Sequence, residues 1–217
     1  MQDAFADIVD AVFAISCRSL PVDHAYALSQ AIQAALPWFA EEPGAGLHLI
    51  YGAASASGWM RPEGADAMLQ LSRRAKLALR LPRHRLNDAT ALLGRTLQIA
   101  DWPLQVDKVA VRPLSHITTL FSRCVVLAEE GDEAAFLAAA TGGLGALDIK
   151  PGTMLCGRVT PVATPARTYQ TRSLMLAGLT LEQSLALQRH GLGAERKLGC
   201  GLFIPHKDIA DLRSRSD

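Results

Sequence analysis

The chain has 217 residues, of which 49% are hydrophobic and 20% charged, with 22 Lys and Arg against 21 Asp and Glu. That length can bury a real core, as one large domain or two of about 100 residues. A formal charge of only +1 excludes capture of an anionic partner by the overall field, so such a partner must meet local basic patches. No apolar run of about 18 residues occurs, which excludes a spanning helix. The opening "MQDAFADIVDAVFAIS" carries three aspartates and no basic residue before Arg18, unlike a secretory signal. Cys17, Cys124, Cys156 and Cys200 lie far apart with no C-x-x-C. Zinc therefore has little support, and a reduced cytoplasmic protein without metal or other cofactor is expected.

In chain order, residues 8–18 alternate as a strand, with Val9, Ala11, Phe13, Ile15 and Cys17 on one face. Pro21 and Asp23 start a helix that runs to about residue 36, with Ala25, Leu28, Ile32 and Ala35 at helical spacing. A strand is expected over 47–52 and a long one over 68–82. A short helix over 87–93 and a hairpin in "RTLQIADWPLQV" follow. The second half opens with a strand over 110–128, interrupted near Pro113, and "EEGDEAAFLAAATGGLGAL" supplies a helix. Strands are expected over 155–163 and 173–178. "TLEQSLALQRH" is a helix with Thr180 as N-cap and Gly191 as its stop, and "CGLFIPH" is the last strand. The order β-α-β-β-α-β occurs twice. The expected fold class is α+β, two tandem ferredoxin-like domains over 1–108 and 109–217, each an antiparallel sheet with helices on one face.

Chemistry concentrates in "RHGLGAERKLGCGLFIPHK". Gly191, Gly193, Gly199 and Gly201 form two G-x-G pairs with Arg196–Lys197 between them. A Walker loop would end in Gly-Lys-Ser/Thr, which is missing. A dinucleotide fingerprint would need a third glycine where Arg196 stands, so both nucleotide-loop readings fail. What remains is a loop whose bare amides and two cations can meet phosphates. A second feature is "SRRAKLALRLPRHR", with Arg73, Arg74, Lys76, Arg80, Arg83 and Arg85 and no acid among them. On a strand Arg74, Lys76 and Arg80 share one face, opposite Leu77, Leu79 and Leu81. Uninterrupted like charge fits a solvated face or a phosphate backbone. Arg158, Arg167, Arg172, Arg189, Arg196 and Lys197 form a second basic set. Aromatics are only 6% of residues, so no aromatic stacking platform is evident. Trp38, Trp59 and Trp102 are expected to pack, with Trp59 in a loop where it could touch a partner.

The doubled G-x-G before the last strand of a tandem ferredoxin-like chain resembles the signature of CRISPR-associated endoribonucleases that cut repeat RNA, in the repeat-associated mysterious protein superfamily. "SLPVDHAYAL" and "GLFIPHK" resemble its small subtype first described from myxobacteria. The resemblance spans essentially the whole chain. It implies CRISPR repeat RNA as partner, bound by the glycine loop and the cations, with other subunits of an effector complex as further partners. It also implies metal-independent attack of a ribose 2′-OH on the adjacent phosphate, leaving a 2′,3′-cyclic phosphate and a 5′-OH. His24, in the first helix region, is then the catalytic histidine, as general base or general acid. A non-cleaving RNA-binding subunit, or an unrelated fold member using the loop for a small anion, stays open at this level.

Overall fold

Alternating apolar residues make Ile8–Ser16 the first strand, β1, with Ala11, Phe13 and Ile15 turned into a core. The computed structural model describes residues 7–52, 62, 64, 67–127 and 132–206. Trp59 and Lys207 lie outside the described residues. After β1 come β2 (Ser19–Pro21), α1 (Ala25–Ala35), the one-turn helix α2 (Trp38–Glu41), β3 (Gly46–His48), β4 (Met68–Gln70) and β5 (Lys76–Pro82). A 3-10 turn (Arg83–Arg85) leads into α3 (Leu86–Ala89). The hairpin β6 (Thr96–Ile99) and β7 (Trp102–Pro113) closes the unit.

The antiparallel sheet runs β3-β5-β1-β7-β6. Leu28 and Ile32 of α1 bury against Phe13 of β1 and Leu77, Leu79 and Leu81 of β5. The long strand expected over 68–82 is two strands. β4 leaves the main sheet to pair with β2, while β5 pairs with β1 and β3. The break is a turn, closed by the Ala75 amide on the Ser72 carbonyl at 3.0 Å. Arg73 and Arg74 therefore sit in a turn and not on a strand face. The strand expected over 47–52 is shorter, and its residue Ile50 lies just beyond β3.

The chain divides into Met1–Pro113 and Leu114–Asp217. The division falls later than the expected 108/109 boundary because β7 keeps pairing with β1 as far as Val9 opposite Pro113. Proline can end that edge, having no N–H for a further ladder bond.

The second unit is β8 (Leu120–Val125), α4 (Glu133–Gly145), β9 (Thr153–Ala163), β10 (Thr168–Ala177), α5 (Leu181–His190) and β11 (Ile204–Pro205). Its sheet order, β11-β8-β10-β9, is what a single β-α-β-β-α-β unit makes. The final strand is reduced to two residues, and the loop before it holds Gly199, Cys200 and Gly201 in other bonds. Leu144 of α4 and Leu187 of α5 pack on Leu120, Leu174 and Leu176. Thr180 caps α5 as expected: its hydroxyl accepts from the Gln183 amide and the Gln183 side chain returns the bond to the Thr180 amide. Thr180→Ala should lower the stability of the second unit by about 0.5–2 kcal/mol. Urea unfolding would read this, with Thr180→Ser retaining most of it; an alanine variant as stable as the parent would show the cap to be idle.

Candidate functional site

His24 occupies the N-cap position of α1, but its side chain does not cap the helix. The residue is 2% exposed. Its Nδ1 lies 2.9 Å from the Pro21 carbonyl oxygen, and the Ile50 amide donates to Nε2 at 3.2 Å. A carbonyl can only accept and an amide N–H can only donate. The partners therefore fix a neutral imidazole with the proton on Nδ1 and the lone pair on Nε2. The imidazole thus braces the entry to α1 against the exit from β3, where an imidazole open to a substrate was expected. Tyr26, two residues on and about 200° around the helix from His24, is half-buried.

The basic run also reads differently in three dimensions. Arg80 is 1% exposed and forks onto Asp10, Nε to Oδ1 at 2.8 Å and Nη2 to Oδ2 at 3.0 Å. Asp10 and Arg80 are direct cross-strand partners of β1 and β5, on the face away from α1. The His48 Nε2 joins them at 3.3 Å from Asp10 Oδ1. Arg80 is thus a buried structural cation, and the expectation that it meets RNA phosphates is corrected. Arg83 pairs with Asp7 at 2.9 Å, Arg85 with Glu42 and Asp88 at 3.0 Å each, and His84 lies 3.5 Å from Glu42. Asp7, Asp10 and Glu42, distant in sequence, and Asp88, three residues beyond Arg85, neutralise this half of the run. Arg73, Arg74 and Lys76 are exposed and form no ion pair among the described residues.

The glycine loop is a tight internal structure. Its four glycines all have positive φ: 69° at Gly191, 81° at Gly193, 86° at Gly199 and 69° at Gly201. A Cβ on Gly193 would run into the Val126 carbonyl, and one on Gly201 into the Leu192 carbonyl. Only glycine allows that approach at that φ. The Leu192 amide donates to Gly201 at 3.0 Å, Ala194 to Val126 at 3.1 Å and Gly201 to Cys124 at 2.7 Å. These amides face protein carbonyls, where phosphates were expected. Arg196 turns back on α5, with Nη1 on the His190 carbonyl and Nη2 3.1 Å from that of Arg189. It satisfies the helix's last carbonyls, so its expected phosphate role is corrected to a clamp on the loop. Lys197 is half-buried beside it.

The loop's outward side is Gly193–Glu195. It lines a cavity of about 320 Å³ together with Arg167, Tyr169 and Gln170 from the start of β10. The Arg167 guanidinium stacks over the Tyr169 ring at 4.7 Å. A hydrogen bond from the Tyr169 hydroxyl to the Glu195 carboxylate, with some burial, raises that phenol above its ordinary pKa. The cavity therefore offers an aromatic wall, one cation, one carboxylate and exposed backbone, which suits a flat, polar ligand.

A family model described as Cas6 Crispr matches residues 9–208. This chain belongs to the Cas6 family. The CRISPR-associated endonuclease Cas6 of Myxococcus xanthus (strain DK1622) is 32% identical over 206 residues, which is 95% of this chain and 85% of that relative. Among solved structures, a CRISPR associated protein Cas6 matches with TM-score 0.66 at 11% identity, over 93% of this chain and 100% of the other. The product of a Cas6-related gene from Pyrococcus furiosus gives 0.63 at 10% identity, over 93% and 99%. Thermus thermophilus Cse3 bound to an RNA representing a pre-cleavage complex gives 0.52 at 15%, over 91% and 98%. At those identities the structures share the fold, tandem ferredoxin-like units.

Two features of this Cas6 chain escaped a reading of the sequence. Tyr169 gave no signal beyond its place between Arg167 and Arg172. Asp10 did give one: it is a lone charge in an apolar strand, and such a charge needs a partner. Burial works against the Asp10 carboxylate, but the Arg80 guanidinium and then His48 override it and hold its pKa well below the usual carboxylate range. A depressed folded pKa contributes stability that is whole above the ordinary carboxylate value and is lost as pH falls below it. The parent protein should therefore lose stability between pH 5 and 3 more steeply than Asp10→Asn. Arg80→Ala should cost about 3–5 kcal/mol at pH 7. Urea midpoints across that range check both, and parallel profiles for parent and Asp10→Asn would remove the pair from the acid transition.

Proposed function

We propose that this Cas6 chain is an endoribonuclease that cuts precursor CRISPR RNA within its repeats. The observation that carries the reading is full-length similarity to a protein named as a CRISPR-associated endonuclease, 32% identical over 95% of the chain. Structures of the same fold hold RNA, among them Cse3 bound to a 19-nucleotide RNA. Arg73, Arg74 and Lys76, exposed at the β4–β5 turn, and Gly193, Arg167 and Lys197 at the glycine loop are the groups proposed to meet the backbone of that RNA.

The proposed chemistry is transesterification without a metal. The 2′-oxygen attacks the adjacent phosphorus, the P–O5′ bond breaks, and the departing 5′-oxygen takes a proton from solvent, so a 2′,3′-cyclic phosphate and a 5′-OH result. His24 is proposed to take the 2′-OH proton at Nε2. The Nδ1–H···O=C bond to Pro21 supports this, because it leaves the lone pair on Nε2, the protonation state a base requires. Nε2 must exchange the Ile50 amide for the substrate, and that amide bond is the longer of the two. In-line positioning by the cations supplies further rate.

The test is cleavage of end-labelled repeat RNA in EDTA, with the product ends mapped. Cutting in EDTA to a cyclic phosphate and a 5′-OH is expected, and a requirement for Mg²⁺ would overturn the metal-free route. His24→Ala, assayed well below its melting temperature, should cut about 10²- to 10⁴-fold more slowly with repeat affinity nearly unchanged. Unaltered cutting would move the proton transfer elsewhere.

A second reading has one observation in its favour: both His24 nitrogens are engaged inside the protein. A subunit that binds repeat RNA without cutting it would need His24 only as the brace it forms here. Purified protein that retains repeat RNA intact would select that reading.

A further inference from the structure

The first unit also holds a cleft beside the β4–β5 turn. After β1 ends at Ser16, Cys17 and Arg18 carry the chain into β2, which leaves the main sheet to pair with β4. The Leu71 amide donates to the Arg18 carbonyl at 2.9 Å, tying this corner to the β4–β5 turn. On the other side β7 begins at Trp102, where the β6–β7 hairpin turns. Between the diverging ribbon and that hairpin lies a cavity of about 800 Å³, lined by Ser16–Ser19, Leu71–Arg73, Ile15 and Trp102–Pro103.

Three properties of its wall point one way. Arg18 and Arg73 are exposed on its rim, and neither pairs with a carboxylate among the described residues. Two acids lie near this wall: Asp107, which accepts from the Ser16 hydroxyl at 3.3 Å, and Asp101, exposed and next to Trp102 in the chain. Trp102 packs one side against the first core and is half-exposed. The Ser19 and Ser72 hydroxyls add donors and acceptors. An indole and two guanidinium groups lining one cavity of ligand size suit a group with a flat face and negative charge beside it.

We propose that this cleft seats one unpaired nucleotide of a bound RNA strand, its base stacked on Trp102 and its flanking phosphates on Arg18 and Arg73. This rests on the reading of the chain as an RNA-binding Cas6 protein, not on its cutting RNA. A single-stranded segment is specified because a base inside a duplex offers no free face to stack. The tryptophan, which packing alone would explain from the sequence, becomes a specificity element for unpaired RNA.

The test uses the full chain and a fluorescein-labelled uridine octamer, which cannot form a stem, with polarisation followed over a range of salt. Trp102→Leu should weaken binding about 5- to 150-fold, while Trp102→Phe, keeping a π-face, should retain most of the affinity. Arg18→Ala with Arg73→Ala should weaken binding and flatten the log affinity–log salt slope by about 1.4, the value for two phosphate contacts on a single strand. A 4-thiouridine octamer should cross-link to peptides bearing Trp102 or residues 16–19, a readout that survives any folding defect in the leucine variant. Parent-like binding by the double arginine variant, with cross-links only elsewhere, would overturn the proposal and leave the cleft to a protein surface. Repeat cleavage by the parent is scored separately. A parent that binds the octamer through the cleft but does not cut keeps this proposal and sinks the nuclease reading. A parent that cuts while every cleft variant binds normally does the reverse.

Discussion

One buried imidazole joins two parts of the first unit, the β2–β4 ribbon and the chain beyond β3. His24 takes its place between the Pro21 carbonyl, at the end of the small β2–β4 ribbon, and the Ile50 amide beyond β3. Neither partner would otherwise be satisfied by a strand ladder at that point, and a buried backbone group left alone is costly. The same two bonds fix the tautomer. Stability and reactivity therefore draw on one lone pair, that of Nε2. Such a residue can serve as a base only in the fraction of molecules, or in the bound complex, where the amide has let go. This is a common relation between a strained or shared group and its function.

Charge is distributed by the same long-range logic. The local sequence around Arg80 contains only cations, and a local reading assigns them to an outside anion. The fold instead brings Asp7, Asp10, Glu42 and Asp88 to the C-terminal half of that run. What is left over is the N-terminal half, Arg73, Arg74 and Lys76, together with Arg18 across the cleft. With a formal charge of +1, the molecule has little long-range field to draw RNA in. Affinity must come from such residual local clusters, where each guanidinium is free to trade water for phosphate.

Much of the architecture was legible in the sequence because it depends on local periodicity. The alternation of β1, the α1 spacing and the Thr180 cap of α5 each follow from residues close together in the chain, and the doubled element order follows from them. The misses share a cause. The 68–82 strand was read as continuous because its residues alternate throughout, whereas the partner changes from β2 to β1 and β3 at Ser72. Arg80 and Arg196 were read as phosphate ligands because their partners, Asp10 and the last carbonyls of α5, are set by the fold and not by spacing. The glycine loop was located correctly but for a partly different reason. Its glycines admit the carbonyls of Val126 and Leu192 before they admit any ligand.

The two units test what the shared topology itself contributes. Both use a central first strand flanked by the third and fourth, with helices on one face. In neither unit do the candidate groups come from the middle of a regular element. In the first they come from the link that detours through β2 and from the β4–β5 turn, both additions to the plain β-α-β-β-α-β path. In the second they come from the stretch between α5 and β11, where four glycines replace the usual short connection, and from the β9–β10 hairpin end. The sheets hold these connections at their ends, and connections so held are where function is usually placed. That division explains how proteins 10–15% identical keep one fold. If the corner bounded by Arg18, Arg73 and Trp102 seats RNA as proposed, it joins the glycine loop as a connection where this chain's RNA preference would be set.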